Sequence, residues 1–309
     1  MDFFVLFSNP GSLVLPRNGN IDVLRLIAAS GIVWFHVGAP GQTVSYSALS
    51  LFIILMIVLP LQNPWSGSLR SYVAQRADRL IRPWIIWSGI FACFKIAQAN
   101  TQNRSIQTEF DWSMLLVGTQ THLWFLPFGF VCSIAAFVAT REIDQTSKFV
   151  FPFSLLVAIG SLPISAWALS NELPTPLAEW CYGLPAVFFG IAIYFANLSQ
   201  RKLLFVSGGL LAGCLAAYLV SGGSWGLASF LIGVHASILA LRLKVLSRPW
   251  MQLAAALSMP VYLCHPLFIS LLQAIPGFDG GVETALACIF LSLVLGYAMI
   301  RSPVAKKLL

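Results

Sequence analysis

Apolar runs of about twenty residues follow one another along this chain, separated by short polar connections. A helix that crosses the ~30 Å hydrocarbon core of a bilayer needs about 20 mostly apolar residues. Ten windows meet this requirement: 20–38, 45–62, 83–99, 122–140, 149–169, 180–196, 203–220, 224–241, 250–271 and 283–301. The pattern predicts an all-α integral membrane protein with about ten transmembrane helices, in which residues 1–309 form a single domain.

The composition agrees with this prediction, because 58% of the residues are hydrophobic and only 9% are charged. Soluble chains carry roughly 25% charged residues to keep their surfaces hydrated. The same figures exclude a disordered chain, a secreted disulfide scaffold and a basic nucleic-acid-binding domain. The first sixteen residues contain no Lys or Arg ahead of an apolar core. We therefore expect no removable signal peptide.

The distribution of positive charge predicts the orientation. Cytoplasmic connections of membrane proteins carry an excess of Lys and Arg, and threading ten spans with both termini in the cytoplasm places fifteen of the 18 cationic residues inside. These are Arg17, Arg70, Arg76, Arg79, Arg82, Arg141, Lys148, Arg201, Lys202, Arg242, Lys244, Arg248, Arg301, Lys306 and Lys307. The net charge of +7 thus reflects topology and implies no nucleic-acid partner.

Two connections between the predicted spans are longer than the others. The outer one, near 98–121, is polar, and the inner one, near 63–82, carries Arg76, Arg79 and Arg82 at single-turn spacing. This spacing predicts a short basic helix lying along the inner membrane surface. The charge bias of cytoplasmic loops and contact with anionic lipids are an alternative explanation for these arginines.

The first span carries three ionisable residues, Asp22, Arg25 and His36. Asp22 and Arg25 are three residues apart and can pair on one helix face. Arg25 and His36 are eleven residues apart, which places them within about 20° on the same face and about 16 Å apart along the axis. Because a charge within lipid costs several kcal/mol, such residues indicate a site. Alternatively, Arg25 and His36 each extend to the nearest headgroups.

Two later segments add polar groups to apolar windows. His122 and Trp124 begin the fourth span, where they are either at headgroup level or part of a site. In the ninth span Ser258, Tyr262 and His265 fall at i, i+4 and i+7, within about 60° of one another on a helix. Pro260 and Pro266 interrupt the helical hydrogen bonds beside them, which lipid tolerates only next to protein or a water-filled cavity. We expect this polar stripe to line a cavity.

Four motifs in this order resemble those of the acyltransferase-3 family of multi-spanning membrane acyltransferases. They are Ile21-Asp22-Val23-Leu24-Arg25 leading to His36, Arg76-Ala77-Asp78-Arg79 ahead of Pro83, His122 to Leu126, and Ser258 with Tyr262-Leu263 and His265-Pro266. The resemblance covers nearly the whole chain. It implies transfer of an acyl group, most often acetyl and sometimes succinyl, from cytoplasmic acyl-CoA to a sugar hydroxyl of a lipid-linked, surface or exported glycan, without a metal.

The resemblance and the charge pattern together assign expected roles. His36 would be the general base, or would carry the acyl group covalently. Arginine binds phosphate well, so Arg25, Arg76 and Arg79 would hold the donor, with Asp22 as structural support. The remaining candidates for binding the acceptor or stabilising an oxyanion are His122, Trp124, Ser258, Tyr262 and His265. The expected location is a bacterial cytoplasmic membrane, and membrane lipids and the glycan acceptor are the expected partners.

A transporter or flippase of a lipid-linked sugar is the main competing function. Ten spans, proline-interrupted helices and a buried histidine would suit it. No inverted or parallel repeat of hydrophobic segments supports it, and the arginines cluster on one side. A structural subunit of a polysaccharide assembly complex is the third possibility.

Overall fold

The computed structural model describes residues 17–63, 65–223 and 226–309, and the secondary structure of these residues is almost entirely helical. Residues 1–16, where we expect no removable signal peptide, lie outside the described ranges. The helices are α1 (Gly19–Val37), α2 (Gln42–Gln62), α3 (Leu69–Thr101), α4 (Met114–Val117), α5 (Phe125–Glu142), α6 (Val150–Leu169), α7 (Leu177–Ala196), α8 (Gln200–Ser221), α9 (Gly226–Arg242), α10 (Pro249–Gln273) and α11 (Val282–Arg301).

Each of the ten long helices overlaps one of the ten predicted windows, and α3 begins well before its window. Among the described residues, nine helices are long and apolar enough to cross a membrane, and α9 is a shorter apolar helix of 17 residues. The remaining helix, α4, is a single turn in the outer connection and corresponds to no predicted window. The prediction of an all-α multi-pass membrane protein is confirmed.

The basic segment near 63–82 differs from the expectation of a separate surface helix. Ser68 caps a helix, α3, that runs without a break for 33 residues. Most of the basic segment belongs to this helix. Pro83 lies inside this helix. A proline at this position removes the hydrogen bond that the Arg79 carbonyl would accept. The helix nevertheless continues on both sides of Pro83. The arginines therefore lie on the first half of the third membrane helix.

The helices pack so that α1 and α2 occupy the centre of the bundle. α1 packs on α10 and α2, while α2 also contacts α7 and α9. α6 packs on α7 and α8, α10 on α11, and α3 mainly on α5. Most of the largest fully buried side chains come from α2, α5 and α7, and they include Ile53, Ile54, Phe128 and Phe189.

Connections that the charge pattern assigns to one side of the membrane do contact one another. At the predicted inner side, Gly19 N donates to the Val245 carbonyl at 2.7 Å. At the predicted outer side, Ser229 Oγ donates to the Thr43 carbonyl at 2.8 Å. The start of α1 is therefore held by the connection between α9 and α10, and the start of α2 by the start of α9.

Candidate active site

Three histidines from distant parts of the chain converge in the outward half of the bundle. His36 lies at the end of α1, His122 in a helical turn just before α5, and His265 in α10. The His36 and His265 rings stack with centroids 5.2 Å apart and planes inclined by 30°. The His122 ring meets His265 edge-on, with centroids 5.0 Å apart. The structure therefore brings together three of the predicted site residues.

The three imidazoles differ in accessibility. His265 is 0% exposed and His122 is 6% exposed, whereas His36 remains exposed. The Nε2 atoms of His122 and His265 have no hydrogen-bond partner within the described part of the chain. Because a buried polar atom without a partner is costly, these two nitrogens are suited to a ligand or to proton exchange. His36 is the imidazole that a substrate can reach.

Pro266 determines the orientation of the His265 ring. A proline has no backbone N–H, so it cannot bond to the carbonyl four residues earlier, that of Tyr262. His265 Nδ1 lies 2.7 Å from this carbonyl oxygen. Because a carbonyl only accepts, Nδ1 carries the proton and Nε2 presents a lone pair. The helix interruption that the sequence indicated thus fixes the tautomer of a histidine in the cluster.

Tyr262 holds His122 in place. Its hydroxyl donates to the His122 backbone carbonyl, which ties the turn before α5 to α10. The Phe91 ring contacts His122 edge-on from α3, with centroids 5.4 Å apart. His122 is therefore enclosed by protein, which excludes the headgroup-level interpretation. The Tyr262 hydroxyl is engaged in a backbone bond.

Trp124 and Ser258 are buried near the cluster and have other contacts. Trp124 packs edge-on against Phe128, with centroids 5.3 Å apart, so it belongs to the protein core and not to an aromatic belt. Ser258 Oγ donates to the Ala255 carbonyl of its own helix at 2.7 Å. Ser258 shares the α10 face of Tyr262 and His265, and its hydroxyl bonds within α10.

The face of α1 that carries Arg25 and His36 is turned into the protein. Ala29 and Ile32 lie between them on this face, and both are buried. Arg25 itself is half-buried. The two functional side chains are thus separated by about 16 Å of helix along a face that packs against other helices and not against lipid.

At the predicted inner side, Arg25 lies near the arginines of α3. The charge of Arg79 acts on both Arg25 and Arg76. Arg76 is buried, and its Nε donates to Ser133 Oγ of α5 at 3.1 Å, whereas Arg79 is exposed. The three predicted donor-binding arginines therefore form one positively charged region, in which Arg76 is fixed and Arg79 is accessible.

The predicted ion pair between Asp22 and Arg25 is wrong. Asp22 instead accepts two hydrogen bonds from Arg17, Nε to Oδ2 at 2.7 Å and Nη2 to Oδ1 at 2.9 Å. Ser247 Oγ donates to the same Oδ2 at 2.5 Å. Arg17 precedes α1 and can turn its planar fork onto the carboxylate, a two-point geometry that strengthens the pair. Asp22 thus anchors the start of α1, which agrees with a supporting role.

Sequence reasoning missed several residues at the site. Ser133 gave no signal, since a serine in an apolar helix is common and only the fold brings it to Arg76. Glu179, at the start of α7, is an ionisable residue at the edge of a predicted span, which is a usable signal. Among the residues that the structure describes, no group of three or more His, Cys, Asp or Glu side chains is arranged to hold a metal ion.

Comparison with known proteins identifies one family. The model of the acyltransferase-3 family, described as an acyltransferase domain, matches residues 18–301. This match includes both the histidine cluster and the arginine region. No curated protein and no solved structure matches the chain. Because the family match spans nearly the whole chain, the protein belongs to the acyltransferase-3 family of membrane acyltransferases.

Proposed function

We propose that this protein is an O-acyltransferase that moves an acyl group, acetyl in the first instance, from cytoplasmic acyl-CoA to a sugar hydroxyl of an exported or surface glycan. The observation that carries the proposal is that the exposed His36 imidazole stacks on the buried His265. His36 also shares a face of α1 with Arg25. The protein would lie in a bacterial cytoplasmic membrane, with its arginine-rich side in the cytoplasm.

The donor would be held by its phosphates at the inner side. Guanidinium groups bind phosphate through paired N–H donors, and Arg79 is exposed to offer them. Arg76, fixed by Ser133, and Arg25 would complete the positive region. The pantetheine arm would then extend along the side of α1 that faces the other helices. It would cover the distance of about 16 Å between Arg25 and His36. The thioester would meet the acceptor at His36.

The reaction then needs one base and one hydrogen-bond donor. His36 takes the proton of the acceptor hydroxyl as its oxygen attacks the thioester carbonyl carbon. The C–S bond breaks as the tetrahedral intermediate collapses, and the proton on His36 passes to the leaving thiolate, which gives the ester and free CoA. His122 Nε2, unpartnered among the described residues, would donate to the oxyanion in the tautomer that carries the proton on Nε2. His265 Nε2, with its lone pair, would accept a hydrogen bond from a neighbouring hydroxyl of the same sugar.

An acyl-His36 intermediate would use the same arrangement. The two routes differ in the absence of acceptor, where only the covalent route leaves radiolabel on the protein. Brief incubation with radiolabelled acetyl-CoA, followed by denaturation at neutral pH in the cold and immediate removal of free label, distinguishes them, because an acyl-imidazole hydrolyses rapidly in acid.

The proposal is tested with purified protein, radiolabelled acetyl-CoA and a panel of glycans, with alkali-labile ester as the product. Replacing His36 with Ala is expected to lower ester formation by about 10²–10⁴-fold, the contribution of a positioned base. His235→Ala is the matched control, because His235 is exposed on α9 and bonds to its own helix at Leu231 O. Equal rates in the two variants would refute the role of His36. Movement of a lipid-linked sugar without consumption of donor would favour a transporter.

A further inference from the structure

The first turns of α7 present polar side chains that the reaction described above does not use. Glu179 Oε1 accepts a hydrogen bond from Thr175 Oγ1 at 2.9 Å, while its Oε2 is buried without a partner within the described ranges. The neighbouring Trp180 Nε1 is also buried without one. Tyr182 is 8% exposed, and its hydroxyl lies beside those of Tyr46 and Ser229.

These unpartnered atoms require a physical reason. A buried polar group without a hydrogen bond costs roughly 1–3 kcal/mol in proteins. In a bundle surrounded by lipid, no external water offsets this cost along the sides of the helices. An acceptor oxygen on Glu179, an N–H donor on Trp180 and a hydroxyl on Tyr182 together match the mixed donor and acceptor character of neighbouring sugar hydroxyls.

Aromatic rings connect this group to His36 on one side. The Phe35 ring lies 5.4 Å from the His36 ring and 4.3 Å from the Tyr46 ring, measured between centroids. The Tyr46 ring in turn lies 4.9 Å from that of Tyr182. The Tyr182 ring is thus joined to the His36 ring through two intervening aromatic rings, those of Phe35 and Tyr46.

A second set of rings connects the same group to His122. Trp180 contacts Phe128 with centroids 5.8 Å apart, and Phe128 contacts Trp124, two residues after His122. The starts of α2, α5 and α7 and the end of α1 therefore surround one region at the predicted outer side. Flat aromatic faces beside a carboxyl group and an indole N–H suit the apolar faces and hydroxyl edges of a sugar ring.

We propose that Glu179, Trp180 and Tyr182 form the acceptor-binding site, and that its ligand is a neutral sugar. The Glu179 carboxyl group would accept from sugar hydroxyls and disfavour an acidic acceptor through like-charge repulsion. Trp180 Nε1 would donate to a ring or hydroxyl oxygen. This inference rests on the proposed function, since it assigns the outer half of the same site.

The test measures acceptor and donor kinetics separately. The probes are neutral methyl glycosides (glucoside, galactoside, mannoside and rhamnoside) and the acidic methyl glucuronide, each with radiolabelled acetyl-CoA. Glu179→Gln is expected to raise the acceptor KM by about tenfold, since a hydrogen bond to a charged group is lost, and Trp180→Phe by about fivefold, since a neutral hydrogen bond is lost. The donor KM and the hydrolysis of acetyl-CoA without acceptor should stay within about twofold, because neither residue lies in the donor region.

Matched controls come from the same side of the membrane. Glu172→Gln removes an exposed acid from the connection before α7, and Trp167→Phe alters an indole on α6 that is 62% exposed. Both should leave the acceptor KM unchanged. Tyr182→Phe removes a single hydroxyl and serves if either other variant fails to fold.

Three results would overturn the inference: an unchanged acceptor KM in all folded variants, preference for methyl glucuronide, or no acetylation of any neutral glycoside while the wild type hydrolyses the donor. A wild-type protein that consumes no acetyl-CoA at all would instead refute the proposed function. The two failures are therefore distinguishable.

Discussion

His265 Nδ1 bonds to the Tyr262 carbonyl oxygen at 2.7 Å, in the position that the backbone N–H of residue 266 would occupy in an uninterrupted helix. Pro266 makes this bond possible because it lacks that N–H. The bond fixes the proton on Nδ1 and leaves the lone pair of Nε2 within the cluster of His36, His122 and His265. A backbone interruption in α10 thus sets the protonation pattern of the site.

This relationship predicts the effect of replacing Pro266 with Ala. The new N–H would compete for the Tyr262 carbonyl and free the His265 ring to rotate or change tautomer. We expect kcat to fall by about tenfold, in the lower range of what general acid–base groups contribute. The unfolding temperature should stay the same or rise, because alanine restores a helical hydrogen bond. Steady-state kinetics and thermal unfolding in detergent measure both effects.

Pro163→Ala is the control, since Pro163 also lies inside a membrane helix, α6. It should leave kcat unchanged. If both proline variants retain the wild-type kcat, the orientation of His265 does not matter for the reaction.

The arginine region predicts unequal roles for two exposed arginines one turn apart. Arg79 is exposed on α3, three residues after the buried Arg76, so Arg79→Ala should remove an accessible phosphate-binding guanidinium and weaken donor binding. We expect the KM for acetyl-CoA to rise by about tenfold, since a hydrogen bond to a charged group contributes roughly 1.5–3 kcal/mol. The acceptor KM should not change.

Arg82 provides the comparison because it is exposed and forms a 2.6 Å ion pair with Asp78 in the same helix. Arg82→Ala should change the donor KM by less than about twofold. Equal increases in the two variants would show that general surface charge, and not the position of Arg79, governs donor affinity.

The amino-acid sequence alone was sufficient to predict the positions of the helices and some of the residues that meet at the site. Lipid requires long apolar helices, so the windows could be located from composition alone. Tyr262 and His265 could be placed together because they share a face of α10 at i and i+3. The partner of Asp22 was predicted wrongly because helical spacing favoured Arg25, while the actual partner, Arg17, lies outside the helix. Ser133 and Trp180 depend on contacts between distant helices, which spacing along one chain does not specify.

The buried pair between Arg17 and Asp22 predicts a loss of stability. Asp22→Asn removes the charge and one of the acceptors that bind Arg17 and Ser247. We expect the free energy of unfolding to fall by about 1–3 kcal/mol, as measured by denaturant unfolding in detergent. Asp78→Asn is the matched control, because its ion pair with Arg82 is exposed and such pairs contribute about 0–1 kcal/mol. A loss for Asp22→Asn no larger than that of the control would contradict an anchoring role.

Close packing of α9 on α2 leads to the last prediction. A Cβ atom at Gly233 would lie 2.0 Å from Ser50 Oγ and 2.7 Å from the Ser47 carbonyl oxygen. Since the second contact is with backbone, Gly233→Ala must push the helices apart, and we expect it to cost about 1–3 kcal/mol in unfolding free energy. Gly208→Ala on α8 meets nothing within 4 Å and should stabilise by up to about 1 kcal/mol through helix propensity. Because α2 also carries Tyr46, a displacement of α2 by Gly233→Ala should raise the acceptor KM as well. Equal stability and equal kinetics in the two glycine variants would show that α2 and α9 tolerate separation.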